Sequence, residues 1–382
     1  MNFQLSEEQR AIRDMVHDFA EKEIAPRAND IDKSDEFPAD VFEKMAEQGL
    51  MGLPIPEEYG GGGADTMSQA LAVEQVSSAS GSVGLTYAAH LSLGCMPIYN
   101  FGTEAQRKEW LTPLAKGEAL GALALTESKG GSDLAGSVAT TAVLKGDEWI
   151  INGSKMYVTS GAVARSITTL CITDKSQGHR GLSMILVPRD APGLVIGKVE
   201  EKMGLHGSLT TQVFFEDCRV PKANLLGKPG EGFKQAMITL DGGRVGIGAM
   251  ALGLGRAAME ASVKYAQERN AFGKPIADFQ AIQWMLADMS VELEAARLMV
   301  AQAAYLKDMK QPFSHQAAMA KLFASEVADR ACWKAIQIHG GAGYLRDFPV
   351  ERFYRDNRLT LIGEGTSEIL RLVIARGILK NQ

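Results

Sequence analysis

Residues 246–258 read Gly246-Ile247-Gly248-Ala249-Met250-Ala251-Leu252-Gly253-Leu254-Gly255-Arg256-Ala257-Ala258, and both 246–251 and 253–258 fit the spacing G-x-G-x-x-A. In a dinucleotide-binding fold such a turn leaves a strand and opens a helix, its glycines letting the backbone close on a pyrophosphate. Here both segments lie inside one helical pattern from about 232 to 270, rich in Ala, Gly and Met and apolar on nearly every face. That context suits a helix buried on most sides, whose small residues admit close neighbours. Met237, Met250, Met259, Met285, Met289 and Met299 are read in the same way, as core filler. There is no Rossmann unit.

Three more helical segments follow, at roughly 277–309, 314–339 and 366–380. The first of them sets apolar residues on one face and Asp288, Glu292, Glu294 and Arg297 on another. Upstream, from about Ala119 to Pro221, the texture is β-type: Ile150-Ile151, Tyr157–Thr159, Ile167–Ile172, Leu182–Val187 and Val213–Phe215, with turn signals at Gly146-Asp147 and Asn152-Gly153. Further back the pattern is helical again. Ser6-Glu7-Glu8-Gln9 and Thr103-Glu104-Ala105-Gln106 are capping boxes. A helix around Val41, Phe42 and Met45 stops at Gly49, and a long one from Met67 is interrupted at 80–84. The predicted fold is α+β and multidomain: an N-terminal helical domain (1–120), a central antiparallel β-sandwich or barrel (121–230) and a C-terminal four-helix bundle (231–382).

Forty Lys and Arg against 46 Asp and Glu leave a net charge of −6, which gives no footing for nucleic acid or an anionic membrane. No secretory signal opens the chain, and no uncharged apolar run reaches membrane-spanning length. The scattered Cys95, Cys171, Cys218 and Cys332 are expected to be buried free thiols. Six histidines without HxH or HxxxH spacing point to no metal site.

The chain closes on Leu361-Ile362-Gly363-Glu364-Gly365-Thr366-Ser367-Glu368-Ile369-Leu370. A carboxylate between glycines, on a loop entering a helix, is either a solvated turn or a presented general base. The Thr366 and Ser367 hydroxyls and the free N–H groups at the helix start suit an anion or a polar ring edge.

The β region also carries Leu123-Ala124-Leu125-Thr126-Glu127-Ser128-Lys129-Gly130-Gly131-Ser132-Asp133 and then Lys155-Met156-Tyr157-Val158-Thr159-Ser160-Gly161. The helical half adds Leu240-Asp241-Gly242-Gly243-Arg244, Glu268-Arg269-Asn270-Ala271-Phe272-Gly273-Lys274 and His339-Gly340-Gly341-Ala342-Gly343-Tyr344. With the closing Gly-Glu-Gly-Thr-Ser-Glu, and over essentially the whole chain, these resemble the acyl-CoA dehydrogenase family, FAD enzymes that desaturate acyl-CoA thioesters.

The resemblance implies roles residue by residue. Leu123, Leu125, Thr126, Gly131 and Ser132 would hold FAD, the Ser128–Ser132 turn cradling its pyrophosphate. Tyr157, Val158 and Thr159 would lie along the flavin; the family usually has Trp where this chain has Tyr157. Arg269 and Gln280 would reach the FAD of a neighbouring subunit in a homotetramer, Phe279 and the further loop with Gln337, Gly340 and Gly341 would also contact FAD, and Thr366 and Glu368 would make the final FAD contact. Ser132, Asp241, Arg244 and Gly365 would touch substrate, with Leu93 on an apolar pocket helix that also carries Leu85, Ala89 and Met96.

Glu364 would remove the pro-R α-proton while hydride leaves the β-carbon for flavin N5, giving a trans-2-enoyl-CoA; electrons would pass on to an electron-transfer flavoprotein. Relatives with the base on the other helix would need it at the position of Gly243, which carries none. Gly363 stands where many relatives have Tyr, which removes a ring from the pocket region and gives no guide to chain length. The pocket helix is apolar and offers no Arg or Lys to a second carboxylate, so a short, branched or unbranched monocarboxylic chain is expected. The compartment would be bacterial cytoplasm, or mitochondrial matrix after removal of a targeting peptide. The competing readings are an acyl-CoA oxidase, against which the stop at Gln382 counts, and a catalytically silent FAD-binding relative.

Overall fold

The computed structural model describes residues 4–380; Met1–Phe3 and Asn381–Gln382, the ends of the first and last predicted domains, lie outside the described residues. Ser6 opens α1 (Glu7–Phe19) with the expected capping box, its hydroxyl accepting from the Gln9 N–H at 3.1 Å while the Gln9 side chain accepts from the Ser6 N–H at 3.0 Å. Helix α2 (Ala39–Glu47) buries Val41, Phe42 and Met45 and gives way at Gly49, whose φ of +70° ends it in the left-handed region. The long segment from Met67 divides into α3 (Thr66–Ala79) and α4 (Gly81–Ala89), broken at Ser80. The chain then runs on as a π turn, His90–Cys95, into a short helix, Met96–Phe101.

The run 246–258 lies in the middle of α5 (Gly232–Glu268), a single helix with no strand before it, as its periodicity predicts. Glycines weaken a helix by about 0.5–1 kcal/mol each against alanine, so they need a packing reason. The neighbours supply it. A Cβ on Gly253 would lie 2.3 Å from the Glu74 carbonyl oxygen of α3. One on Gly255 would lie 2.7 Å from Leu293 in α6 (Gln280–Asp308) and 3.3 Å from Ala328 in α7 (Ser314–His339). Helices therefore close on α5 from three sides, burying Met250, Leu254, Leu293, Val300, Ala324 and Val327 in one core. Helix α8 (Val350–Asn357), which the sequence reading passed over, and α9 (Ser367–Lys380) complete the C-terminal half.

The sheet has eight strands: β1 (Leu120–Ala124), β2 (Thr141–Lys145), β3 (Glu148–Thr159), β4 (Ala164–Ile172), β5 (Leu182–Pro188), β6 (Leu194–Val199), β7 (Thr210–Pro221) and β8 (Leu225–Leu226). Their order is β6-β7-β3-β2-β4-β5-β8, with β1 on β4. Most neighbours are antiparallel, but β1 pairs with β4 in parallel, and β2 meets β4 in parallel only at Thr141↔Ile172. The forty residues or so between β1 and β4 are a long enough crossover for that direction. Asn152-Gly153 is not a turn. It is a register shift inside β3, with Gly153 at φ +144°, so Ile150-Ile151 and Tyr157–Thr159 belong to one strand. All four cysteines are buried and free, as expected. Among the described residues no helix is long and apolar enough to cross a membrane.

Candidate active site

After α8 a tight turn (Arg358–Leu361) delivers the closing loop to α9. Glu364 has φ +55° and Gly365 φ +104°, whereas Gly363 is outside the left-handed region and would accept a Cβ at ordinary contact, 3.5 Å from the Leu359 carbonyl. The bend expected of the flanking glycines is thus made largely by the glutamate itself. For a residue with a side chain this costs roughly 1–2 kcal/mol, so the surroundings must hold it. Two buried cations do so. Arg244 of α5 donates from Nε to the Glu364 carbonyl at 3.4 Å, and Lys321 of α7 donates from Nζ to the Gly365 carbonyl at 2.7 Å.

The Glu364 carboxyl points over Gly243. A Cβ there would lie 2.0 Å from Oε2, so only glycine leaves room. Oε2 is buried with no hydrogen-bond partner, and burial pushes the carboxyl up to about 7, against the pull of Lys321 and Arg244. A buried, unpartnered carboxyl poised near neutrality is chemically a proton acceptor. One turn along α5, Gly246 faces Ala88 at the end of α4.

Next to Ala88, Ala89 lines a narrow cleft of about 60 Å³ together with Leu93, Gly121, Ala122, Leu123, Tyr157 and Thr159. It joins the predicted acyl-pocket helix to the predicted flavin strands. Leu85 instead sits in the helical core, and Met96 packs beside a third cluster containing Leu111 and Leu114. Tyr157 takes φ +57° at a bulge between Lys155 and Val158, which re-aims its ring outward, 65% exposed, while Val158 stays buried. The turn carrying Gly131 and Ser132 is exposed and anchored beside this strand: the Met156 N–H donates to the Thr126 carbonyl at 2.8 Å, and Lys155 donates to the Leu125 carbonyl at 3.1 Å.

Other expected residues fall elsewhere or already have partners. Arg269, Gly340 and Gly341 line a separate groove of about 380 Å³, walled by Tyr265 stacked on His339 at 4.2 Å. Gln280 and Gln337 are exposed; Phe279 packs edge-on to Phe272 at 6.1 Å under the Lys274 ammonium. Asp241 is bonded to Arg244 at 2.5 Å and to Ser314, and burial raises its carboxyl above the usual range. Arg244 is therefore turned inward, toward the loop. The Thr366 hydroxyl caps α9 by accepting from the Ile369 N–H at 3.3 Å, Ser367 Oγ is buried without a partner, and Glu368 is exposed.

Sequence reasoning missed Lys321 and His90. Lys321 stands in a helical run where a lysine ordinarily marks a solvated face, and no motif singles it out. His90 is fully buried, its Nε2 3.1 Å from the Met51 and Leu114 carbonyls and its Nδ1 accepting from the Gly121 N–H at 3.3 Å. This network puts the proton on Nε2. Burial pushes the ring down to about 4, so it braces the cleft wall as a neutral strut.

The chain matches the acyl-CoA dehydrogenase N-terminal domain at residues 6–118, the middle domain at 122–218 and the C-terminal domain at 230–379. A probable acyl-CoA dehydrogenase of Bacillus subtilis (strain 168) is 56% identical over 381 residues, spanning 100% of both chains. Butyryl-CoA dehydrogenase from Megasphaera elsdenii superposes with a TM-score of 0.97 at 41% identity, over 99% of this chain and 100% of that one. A chain in the structure described as the electron transferring flavoprotein of Acidaminococcus fermentans superposes with a TM-score of 0.98 at 48% identity, over 99% and 100%. Three consecutive family domains and full-length likeness carry the same conclusion: the chain belongs to the acyl-CoA dehydrogenase family, FAD-dependent oxidoreductases of acyl-CoA thioesters.

Proposed function

We propose that the enzyme desaturates a short-chain acyl-CoA to its trans-2-enoyl-CoA, with Glu364 as the base. The observation that carries this is the Glu364 carboxyl, buried, unpartnered at Oε2 and raised to about 7. An α-proton is a weak acid, and a base drawn up toward neutrality accepts it more readily than an ordinary carboxylate. Gly243 leaves the carboxyl its space, and the Ala89–Leu93 wall supplies apolar contact for a short acyl chain. The likeness to butyryl-CoA dehydrogenase supports the same length.

The residues present fit FAD: an outward-turned aromatic on a strained bulge, a neighbouring exposed Gly/Ser turn and an orphaned carboxyl together suit a planar ring and a pyrophosphate. FAD supplies, when bound, the acceptor for the hydride leaving the β-carbon. For the cofactor we assign Leu123, Leu125, Thr126, Gly131, Ser132, Tyr157, Val158 and Thr159, with Thr366 and Glu368 beside the closing loop. Ser132, Asp241, Arg244, Gly365 and Leu93 are assigned to substrate. The three segments 1–120, 121–230 and 231–382 divide this labour as pocket wall, flavin face and catalytic bundle.

Arg269, Phe279, Gln280, Gln337, Gly340 and Gly341 are assigned to the FAD of an adjacent subunit in a homotetramer. Two observations support this. The groove containing Arg269, Gly340 and Gly341 shares no lining residue with the cleft at Tyr157. On α6, Trp284, Val291, Leu298 and Tyr305 are 65, 70, 45 and 61% exposed, an apolar seam repeating every seven residues, as helices do when they pack against another copy. Electrons then pass to an electron-transfer flavoprotein, in bacterial cytoplasm or a mitochondrial matrix. Anaerobic bleaching of the flavin absorbance by acyl-CoAs of increasing length tests the proposal. Fastest bleaching by butyryl-CoA is expected; bound FAD that no acyl-CoA bleaches would overturn it.

A further inference from the structure

The small residues of α5 bring a second helix close enough to act on the loop. Gly248 would put a Cβ 3.7 Å from the Lys321 backbone, so α7 lies almost against α5 there. Lys321 is fully buried, yet among the described residues no carboxylate lies within ion-pair distance of it; its Nζ donates to the Gly365 carbonyl at 2.7 Å. Four residues on, and so on the same face of α7, Ser325 donates to the Thr360 carbonyl at 2.9 Å, while the Asn357 amide donates to the Ser325 carbonyl at 3.4 Å. One helix face therefore grips both ends of the closing loop.

We propose that Lys321 is a positioning residue for the reaction: its ammonium holds the Gly365 carbonyl, and through it the left-handed Glu364 backbone, so that the carboxyl is delivered over Gly243, and it supplies the positive charge this carboxyl faces from α7. A neutral donor would satisfy a carbonyl as well, and a buried ammonium without a carboxylate is costly. The charge is explained by what else faces Glu364. From α5 comes Arg244, but Asp241 is bonded to it at 2.5 Å and neutralises much of its effect. From α9, Glu368 is exposed and, like Glu326 of α7 itself, acts on Lys321. Lys321 is thus the cation of the site not already claimed by a bonded carboxylate. Burial draws its ammonium down to about 8, opposed first by Glu364, which leaves it charged at neutral pH.

The inference rests on Glu364 being the base, and the experiment separates the two. The pH dependence of anaerobic flavin bleaching by butyryl-CoA is measured for the wild type, Glu364→Gln, Lys321→Met and Lys321→Gln, together with FAD content, thermal midpoint and exchange of the substrate α-proton in D2O. For Lys321→Met the midpoint of the bleaching profile should rise by about one pH unit, cutting the ionised base about fivefold at pH 7. Exchange of the α-proton should slow in parallel, and both rates should recover in part above the new midpoint. Lys321→Gln, which keeps a donor but no charge, should show the same displaced midpoint with a smaller loss of rate. Where Lys321→Met does not fold, Lys321→Gln alone decides. Profiles that superimpose on the wild type, with only FAD content or thermal midpoint lowered, would make Lys321 merely structural and overturn the proposal. A Glu364→Gln enzyme that still bleaches would instead remove the base on which it rests.

Discussion

Glu127, in the turn that follows β1, and Glu364, in the closing loop, each have a buried lysine nearby. Glu127 is fully bonded: its carboxylate accepts from Lys155 Nζ at 2.8 Å, the Ala139 N–H at 2.7 Å and the Thr140 N–H at 3.0 Å. Burial alone would push this carboxyl up, but the Lys155 ammonium and the Thr140 bonds hold it below the usual range. Glu364 has the opposite balance. Its lysine is spent on a neighbouring carbonyl, Oε2 has no partner, and burial wins, taking it to about 7. The same two residue types make a brace in one place and a candidate base in the other. What separates them is whether the carboxylate oxygens are given donors.

The largest effect expected from that contrast is at Glu364. Glu364→Gln should lower the rate of flavin bleaching by roughly 10²–10⁴-fold, the contribution of a positioned base, with FAD still bound. A rate within a few-fold of wild type would put the base elsewhere. Next comes the brace. Lys155→Met leaves Glu127 buried and short of its cation, which should cost about 3–5 kcal/mol in chemical denaturation. Lys155→Met/Glu127→Gln restores neutrality and keeps an acceptor for the Thr140 N–H, so most of that loss should return. The bleaching midpoint should stay where it is in both, because neither change touches the surroundings of Glu364. A shifted midpoint would mean the two sites are coupled.

How much of this was legible differs between the two regions for physical reasons. The run 246–258 declared itself because helical periodicity is written in every third or fourth residue, and the same periodicity located α6 and α7 to within a few residues. Glu364 was legible because a motif surrounds it. Lys321 was not: within its helix it looks like any surface lysine, and only the close approach at Gly248 makes it a buried one. The sheet was read less well. Parallel pairing of β1 depends on where the chain returns some forty residues later, which Leu120–Ala124 does not encode locally. Asn152-Gly153 carries turn chemistry but is spent on a bulge, and nothing in Lys155–Val158 announces that Tyr157 turns left-handed. The inward turn of Arg244 onto the loop was equally invisible, being a choice between partners rather than a spacing.

A smaller loss should follow from filling the space under the base. Gly243→Ala sets a methyl where it would lie 2.0 Å from Oε2, so the carboxyl must move. A displacement on the order of 1 Å costs about a hundredfold in rate, read as slower bleaching with unchanged FAD content. If Gly243→Ala reacts normally, the carboxyl does not work from the position seen over α5, and the contrast with Glu127 loses its geometric basis.

The subtlest effect is on stability, and it has opposite signs at the two carboxyls. Glu127 is depressed in the folded protein, so its contribution is present above its unfolded value and is lost as pH falls through the folded one. Glu364 is raised from 4.5 to about 7, so the folded state binds the extra proton between those values. Its contribution is therefore complete below about 4.5 and is lost as pH rises through about 7. Replacing it by a neutral isostere removes that loss. Holo Glu364→Gln should match the wild type near pH 4.5 and exceed it by roughly 2 kcal/mol at pH 8.5, the shift being discounted because the residue is only half-buried. Denaturant titrations at the two pH values measure the difference. An advantage of equal size at both would trace to packing and not to proton binding; no advantage at pH 8.5 would mean that Glu364, like Glu127, finds donors after all and is ionised at little cost.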